Sequence, residues 1–253
     1  MVDGVGGGAV AYGGILFLKG LWDTWKKHRF GVYGCYATGK TTLNTYLSIP
    51  GEIYDPENEE NSTQHRYNKR RGEYEVPKPS LKKVKYSINE RVAVRTIESS
   101  DIGGQVKYWP LWLRDMVERN VEIVIFLIDH RHLVDKTNTE QLDAFNYIVD
   151  AIVKRNYPMN TRRRRKKSRN YAPRLFALVA NKADMWLVNG PNSAEWVEKW
   201  ENDHLDQHPI FHAFRPGLDR LRRAGIPNIK RSISALRGYD VEETIYDCLR
   251  NKV

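Results

Sequence analysis

The chain has 253 residues, 41% hydrophobic and 28% charged, with two cysteines and a formal net charge of +10. That length buries a full core and suits one large domain or two small ones, and two distant cysteines, Cys35 and Cys248, exclude a disulfide framework and a cysteine zinc site. A reducing, cytoplasmic compartment follows, and the positive balance favours acidic partners.

Residues 1–8 are glycine-rich. Beyond them Ile15, Leu18, Leu21, Trp22 and Trp25 recur at helical spacing, with Lys19, Asp23, Lys26 and Lys27 mainly on the other side. The pattern predicts an amphipathic helix. Its apolar run is interrupted by Gly13, Gly14 and Lys19 and falls short of the roughly 20 residues of a spanning helix, so it predicts a helix that lies on a surface: its own domain, a partner or a membrane. Residues 1–27 are therefore set apart from the domain expected over 28–253.

Residues 29–33 read as a strand and 41–47 as a helix. Between them Gly34-Cys35-Tyr36-Ala37-Thr38-Gly39-Lys40-Thr41 fits G-x-x-x-x-G-K-[ST] at every fixed position, with Thr42 following. Gly34 and Gly39 allow the backbone to curl so that its N–H groups converge on a polyphosphate. Lys40 reaches the β- and γ-phosphates, Thr41 offers a hydroxyl to Mg²⁺, and the helix aims its positive end at the phosphates. Cys35 lies inside the loop as a small filler rather than a nucleophile.

Residues 49–80 are polar and poorly patterned, with too little apolar content to fold alone. Residues 81–88 and 91–98 alternate around Asn89-Glu90 and predict an antiparallel hairpin whose second strand delivers Asp101. Asp101-Ile102-Gly103-Gly104-Gln105 then gives a carboxylate for a metal shell and glycines whose backbone can approach a γ-phosphate. A helix is predicted over 109–119, a central parallel strand over 121–128, and a helix with Leu142, Phe145, Ile148, Val149 and Ile152 on one face, ending near Tyr157-Pro158.

The loop 158–173 follows. Its Arg162, Arg163, Arg164, Arg165, Lys166, Lys167 and Arg169 account for seven of the ten net charges. Such a tract is either a solvated charge run or a contact for anionic lipid or nucleic acid, and the absence of interleaved aromatic rings argues against base stacking. After a strand at 175–180 comes Asn181-Lys182-Ala183-Asp184, which fits N-K-x-D. An Asp carboxylate there accepts two hydrogen bonds from the N1–H and exocyclic amine of guanine, a donor pair that adenine lacks. Helices are predicted over 193–203, over 211–224 with Pro216-Gly217 as an interruption, and from Asp240 as N-cap, after a strand at 229–234. Trp186, Trp196, Trp200 and Phe211 read as packing.

The order loop, D-x-x-G-Q, N-K-x-D, each at a strand end, resembles the Ras superfamily of small GTP-binding proteins from about residue 30 onward. Asp101 to Gln105 followed by Trp109-Pro110-Leu111-Trp112 looks most like the Arf and Arf-like branch, and Ser234-Ala235-Leu236 matches the S-A-x stretch that touches guanine. The resemblance implies a three-layer α/β P-loop fold, with a mainly parallel six-stranded sheet, one antiparallel edge strand and helices on both faces. It implies GTP and GDP with Mg²⁺ as ligands, and slow hydrolysis in a conformational switch. Asp101 joins Thr41 at the metal, Gly104 senses the γ-phosphate and Gln105 orients the attacking water beside Lys40.

The resemblance makes 49–80 an extended first switch, whose Mg²⁺ ligand is Thr63 or Ser80. It implies effector, exchange-factor and activating partners and a cytoplasmic location, with peripheral contact at an anionic membrane as one option for the N-terminal helix beside docking on its own domain or a partner. Position 2 is Val, where N-myristoylation requires Gly. Tyr36 stands where the Ras branch has Gly and the Arf branch Asp, a bulk that crowds the water or an incoming arginine. With the long first switch it favours a second reading: a GTP-bound anchoring subunit that rarely hydrolyses, similar in general pattern to the signal-recognition-particle receptor β subunit. A nucleic-acid-associated GTPase working through the basic loop is a third.

Overall fold

In the computed structural model, which describes residues 28–48, 67–76, 93–157, 171–187 and 208–251, six segments pair into one sheet. They are β1 (His28–Gly34), β2 (Tyr67–Val76), β3 (Ala93–Ile102), β4 (Ile123–Ile128), β5 (Leu175–Ala180) and β6 (Asn228–Ser232). Their order is β2-β3-β1-β4-β5-β6. Pairs β3/β1, β1/β4, β4/β5 and β5/β6 are parallel, and β2 lies antiparallel on β3 at the edge. Strands β4 and β5 are buried along their whole length, as a parallel sheet covered on both faces requires.

The helices are α1 (Lys40–Ser48), α2 (Trp109–Arg119), α3 (Arg131–Val134), α4 (Glu140–Lys154), α5 (Ala183–Trp186), α6 (Arg215–Arg223) and α7 (Val241–Asn251). On one face Trp112 of α2, Phe145 of α4 and Leu218 of α6 share a core with Phe126 and Phe176 of the sheet. On the other, Leu43 of α1 and Val241 and Ile245 of α7 pack on Val32, Ile125 and Val179. Alternate residues of each central strand thus feed two separate cores.

The expected three-layer architecture holds, including its single antiparallel edge strand. The hairpin does not hold as expected. The partner of β3 is Tyr67–Val76, inside the stretch read as polar and unpatterned, and the strand expected over 81–88 lies outside the described residues. The cause is edge geometry: a strand held by backbone pairing to one neighbour needs little apolar sequence, and charged residues such as Lys69, Arg70 and Arg71 suit an edge.

The predicted break in the 211–224 helix falls two residues early. A 3₁₀ segment, Pro209–Phe214, precedes α6, and Pro216 sits in the first turn of α6, where its missing N–H costs nothing. The last strand is also shorter than expected. It ends at Ser232, and Ser234 instead bridges to Tyr239 across a short turn. The N-terminal helix, Thr63, Ser80, the basic tract, the 193–203 helix, Trp196 and Trp200 lie outside the described residues.

Candidate nucleotide-binding site

The motifs meet at the C-terminal ends of the parallel strands, the crevice where open α/β sheets bind ligands. Gly34 ends β1 and Lys40 opens α1, so the loop between them hands the chain directly from strand to helix. β3 and β5 end beside it and deliver Asp101 and Asn181. Asp101 pairs in register with Val32 of β1, two residues before Gly34 at the start of the loop.

In a loop whose N–H groups converge on an anion, the carbonyls face away and need donors elsewhere. Here each of three carbonyls accepts a side-chain donor. Cys35 O takes Lys40 Nζ at 2.7 Å and Thr38 Oγ1 at 2.9 Å, Thr38 O takes Asn181 Nδ2 at 2.9 Å, and Tyr36 O takes Arg131 Nη2 at 2.6 Å. The Cys35 thiol points away from the loop toward the Glu140 carbonyl, 3.3 Å off. Burial pushes that thiol up to about 12, so it stays protonated and is no nucleophile. Burial also lowers the Lys40 ammonium to about 8, against the opposing pull of Asp101. An anionic phosphate in the loop favours its charged form.

Asn181 joins three parts of the site. Its Nδ2 holds the phosphate loop at Thr38 and its Oδ1 accepts the Ala235 N–H at 2.9 Å. Only glycine fits beneath it, since a Cβ on Gly39, at φ +88°, would lie 2.2 Å from Asn181 Nδ2. Ser234 Oγ donates to Asp184 Oδ1 at 2.6 Å, and Arg237 Nε stands 3.8 Å from Asp184 Oδ2. Asn181, Asp184, Ser234 and Ala235 thus form one connected group, with Leu236 exposed beside it. Trp186 packs on His208 and also donates its indole N–H to the Asn181 carbonyl, fixing the turn.

On the phosphate side, Gly104 lies directly on the loop: a Cβ there would fall 2.2 Å from both Cys35 C and Tyr36 N. Its position is fixed from behind. The indole of Trp109 donates to Gly104 O at 3.2 Å and that of Trp112 to Gly103 O at 3.1 Å, and the two rings stack 5.9 Å apart. Gln105 follows, partly exposed, with its carbonyl accepting the Tyr108 N–H. Tyr36, within the loop, is 44% exposed. Thr41, with Thr42 after it, lies in the first turn of α1, and buried Asp101 is the penultimate residue of β3. One hydroxyl and one carboxylate next to a phosphate loop fit Mg²⁺, which completes its shell with phosphate oxygens and water.

The sequence reading missed a group around Asp129. This carboxylate, fully buried, follows β4 and accepts Arg131 Nε at 2.9 and 3.0 Å, Gln141 Nε2 at 2.8 Å and Lys182 Nζ at 3.2 Å. Its own N–H donates to Gln141 Oε1. Lys182 of the base motif, in the left-handed region at φ +59°, is held through it. The available signal was a carboxylate placed at the end of a fully apolar central strand, where an α/β crevice opens.

This combination of sheet order, phosphate loop and strand-end motifs defines a P-loop nucleotide-binding fold. Among solved structures the chain is similar to the Arl6 BBS3 small GTPase of Trypanosoma brucei, solved with the nucleotide analogue GppNp. The identity is 18% over 89% of this chain and 96% of that one, with a TM-score of 0.48. No family model and no curated protein matches the chain. The functional reading therefore rests on the residues and contacts above.

Proposed function

We propose that this protein is a guanine-nucleotide switch of the Arf-like type, which binds GTP with Mg²⁺ and hydrolyses it slowly to GDP. The observation that carries the reading is the Asn181 amide, bonded at once to the phosphate loop and to Ala235, while Ser234 orients the Asp184 carboxylate. A site so connected makes base identity and phosphate binding one event. Lys40 and the loop N–H groups hold the β- and γ-phosphates, Thr41 and Asp101 hold Mg²⁺, which offsets phosphate charge when bound, and Gln105 orients water. Turnover at such sites is on the order of 10⁻⁴ to 10⁻² per second, so an activating partner is expected, together with an exchange factor and effectors that read the switch segments.

Nucleotide extracted from the purified protein, identified by chromatography, tests the assignment. GDP or GTP is expected. Equal binding of GTP and ATP would overturn it.

A second reading has one observation in its favour. The Tyr36 ring stands exposed on the phosphate loop with its carbonyl tied to Arg131, a placement that suits a subunit which holds GTP and seldom hydrolyses it. Single-turnover hydrolysis distinguishes the two.

A further inference from the structure

Of the three phosphate-loop carbonyls that accept the side-chain donors described, two are held by residues of the nucleotide motifs, Lys40 and Thr38 on Cys35 and Asn181 on Thr38. The third, Tyr36 O, is held by Arg131, which belongs to none of them. We infer that Arg131, oriented by Asp129, is a positioning residue of the nucleotide site: it clamps the phosphate loop from outside, ties it to the base motif through Lys182, and slows nucleotide release. The inference rests on the guanine-nucleotide reading for its ligand, and on geometry alone for the clamp.

Three features make this more than a surface contact. The first is the fork of the guanidinium. Nε faces both oxygens of Asp129 while Nη2 reaches Tyr36 O, so one planar group spans β4 and the loop, which an ammonium cannot do.

The second is the rigidity of its base. Asp129 is fully buried and also engaged by Gln141, Lys182 and the Arg131 N–H, while the Arg131 side chain is 30% exposed. Burial works against ionisation of this carboxyl, and the Arg131 and Lys182 cations outweigh it, holding it below the usual range. The turn carrying Arg131 is fixed further by His132, whose ring nitrogens lie 2.9 Å from Asp129 O and 3.0 Å from Ile210 O.

The third is connectivity. Asp129 accepts from Arg131 Nε at both oxygens and from Lys182 Nζ at Oδ2, so a continuous chain of bonds runs from Tyr36 to the base-reading turn. The Cys35 thiol on Glu140 O adds a second tie from the same loop to the start of α4. Opening the loop to release a nucleotide would have to break the Arg131 contact. Losing it in advance removes a barrier to release without removing a group that faces the nucleotide.

Stopped-flow release of a fluorescent GDP analogue from the full chain tests this, with Arg131→Ala, Arg131→Lys and Asp129→Asn. Arg131→Ala is expected to speed release by about tenfold, the scale of one charge-assisted hydrogen bond, with association little changed. Arg131→Lys should resemble Ala, and combining Arg131→Ala with Asp129→Asn should add little to the faster single variant. Release from Arg131→Ala within about twofold of wild type, or full rescue by lysine, would overturn the clamp. Hydrogen exchange of the nucleotide-free protein gives a readout that needs no ligand. Amides of 35–40 should exchange faster in Arg131→Ala than in wild type, and equal rates would overturn the clamp even if the wild type proved to bind another nucleotide.

Discussion

On the proposed reading, Asp184 sits where a single atom decides which base is read. Its carboxylate is oriented by Ser234 and approached by Arg237, and an amide in its place presents a donor to guanine N1–H where an acceptor is needed. Asp184→Asn is expected to weaken GTP on the order of 10²-fold or more and to favour xanthosine triphosphate, whose extra carbonyl accepts from the new amide; competition binding measures both. Gln105 lies at a different level of the same site. On the proposed reading it orients water and contributes little to ground-state phosphate binding, so Gln105→Leu should keep GTP affinity and lower hydrolysis by roughly tenfold or more, read in single-turnover assays with any activator present. Unchanged hydrolysis would remove Gln105 from the mechanism and favour the anchoring reading.

At the scale of elements, the D-x-x-G-Q segment is held to α2 by two indoles, and both act through backbone carbonyls. Trp112 is fully buried, so Trp112→Phe strands the Gly103 carbonyl and should cost about 1–3 kcal/mol in chemical denaturation, besides loosening Gly104 over the loop. The connection before α7 gives a pH-dependent test. Asp240 sits at φ +57° with its carboxyl raised to about 6 by burial, aided by Glu243 and Asp247 and opposed by Arg231. The folded state therefore binds the proton more tightly than the unfolded chain. Stability falls as pH rises from about 4 through 6, and above that the ionised group carries its full burial cost. Asp240→Asn keeps the shape and tolerates the left-handed backbone, so it should raise the melting temperature at pH 7.5 by a few degrees and change little near pH 4.

Elements whose signal is local periodicity were legible in the chain: Trp109–Arg119 and Leu175–Ala180 fall where the sequence puts them. Strand Tyr67–Val76 was not, because its order comes from pairing with a distant partner rather than from its own apolar residues. The Asp129 group was hidden for a similar reason. Its members lie at four places along the chain, the turn after β4, α3, α4 and the turn after β5, and nothing in their spacing marks them as neighbours.

At the scale of the whole molecule the charge is uneven. Seven of the ten net positive charges come from residues 162–169, on the connection between α4 and β5, so the remainder of the chain carries +3. The amphipathic pattern of Leu18, Leu21, Trp22 and Trp25 is the second feature that an anionic bilayer would recognise. Basic residues near such a surface contribute about 1 kcal/mol each, and one weak anchor alone gives marginal attachment, so the two are expected to act together. Flotation with liposomes containing phosphatidylserine is expected to carry the full chain at low salt, more strongly with a non-hydrolysable GTP analogue than with GDP. Replacing the seven basic residues with serine should abolish flotation at physiological salt and flatten its salt dependence, while nucleotide binding, proposed to rest on other residues, is expected to stay intact. Flotation that ignores the nucleotide and survives deletion of residues 1–27 would exclude a switched helix. Retention of RNA in place of liposomes, lost on the same serine replacement, would assign the tract to nucleic acid instead, since a polyanionic backbone offers the same phosphate chemistry without an apolar phase.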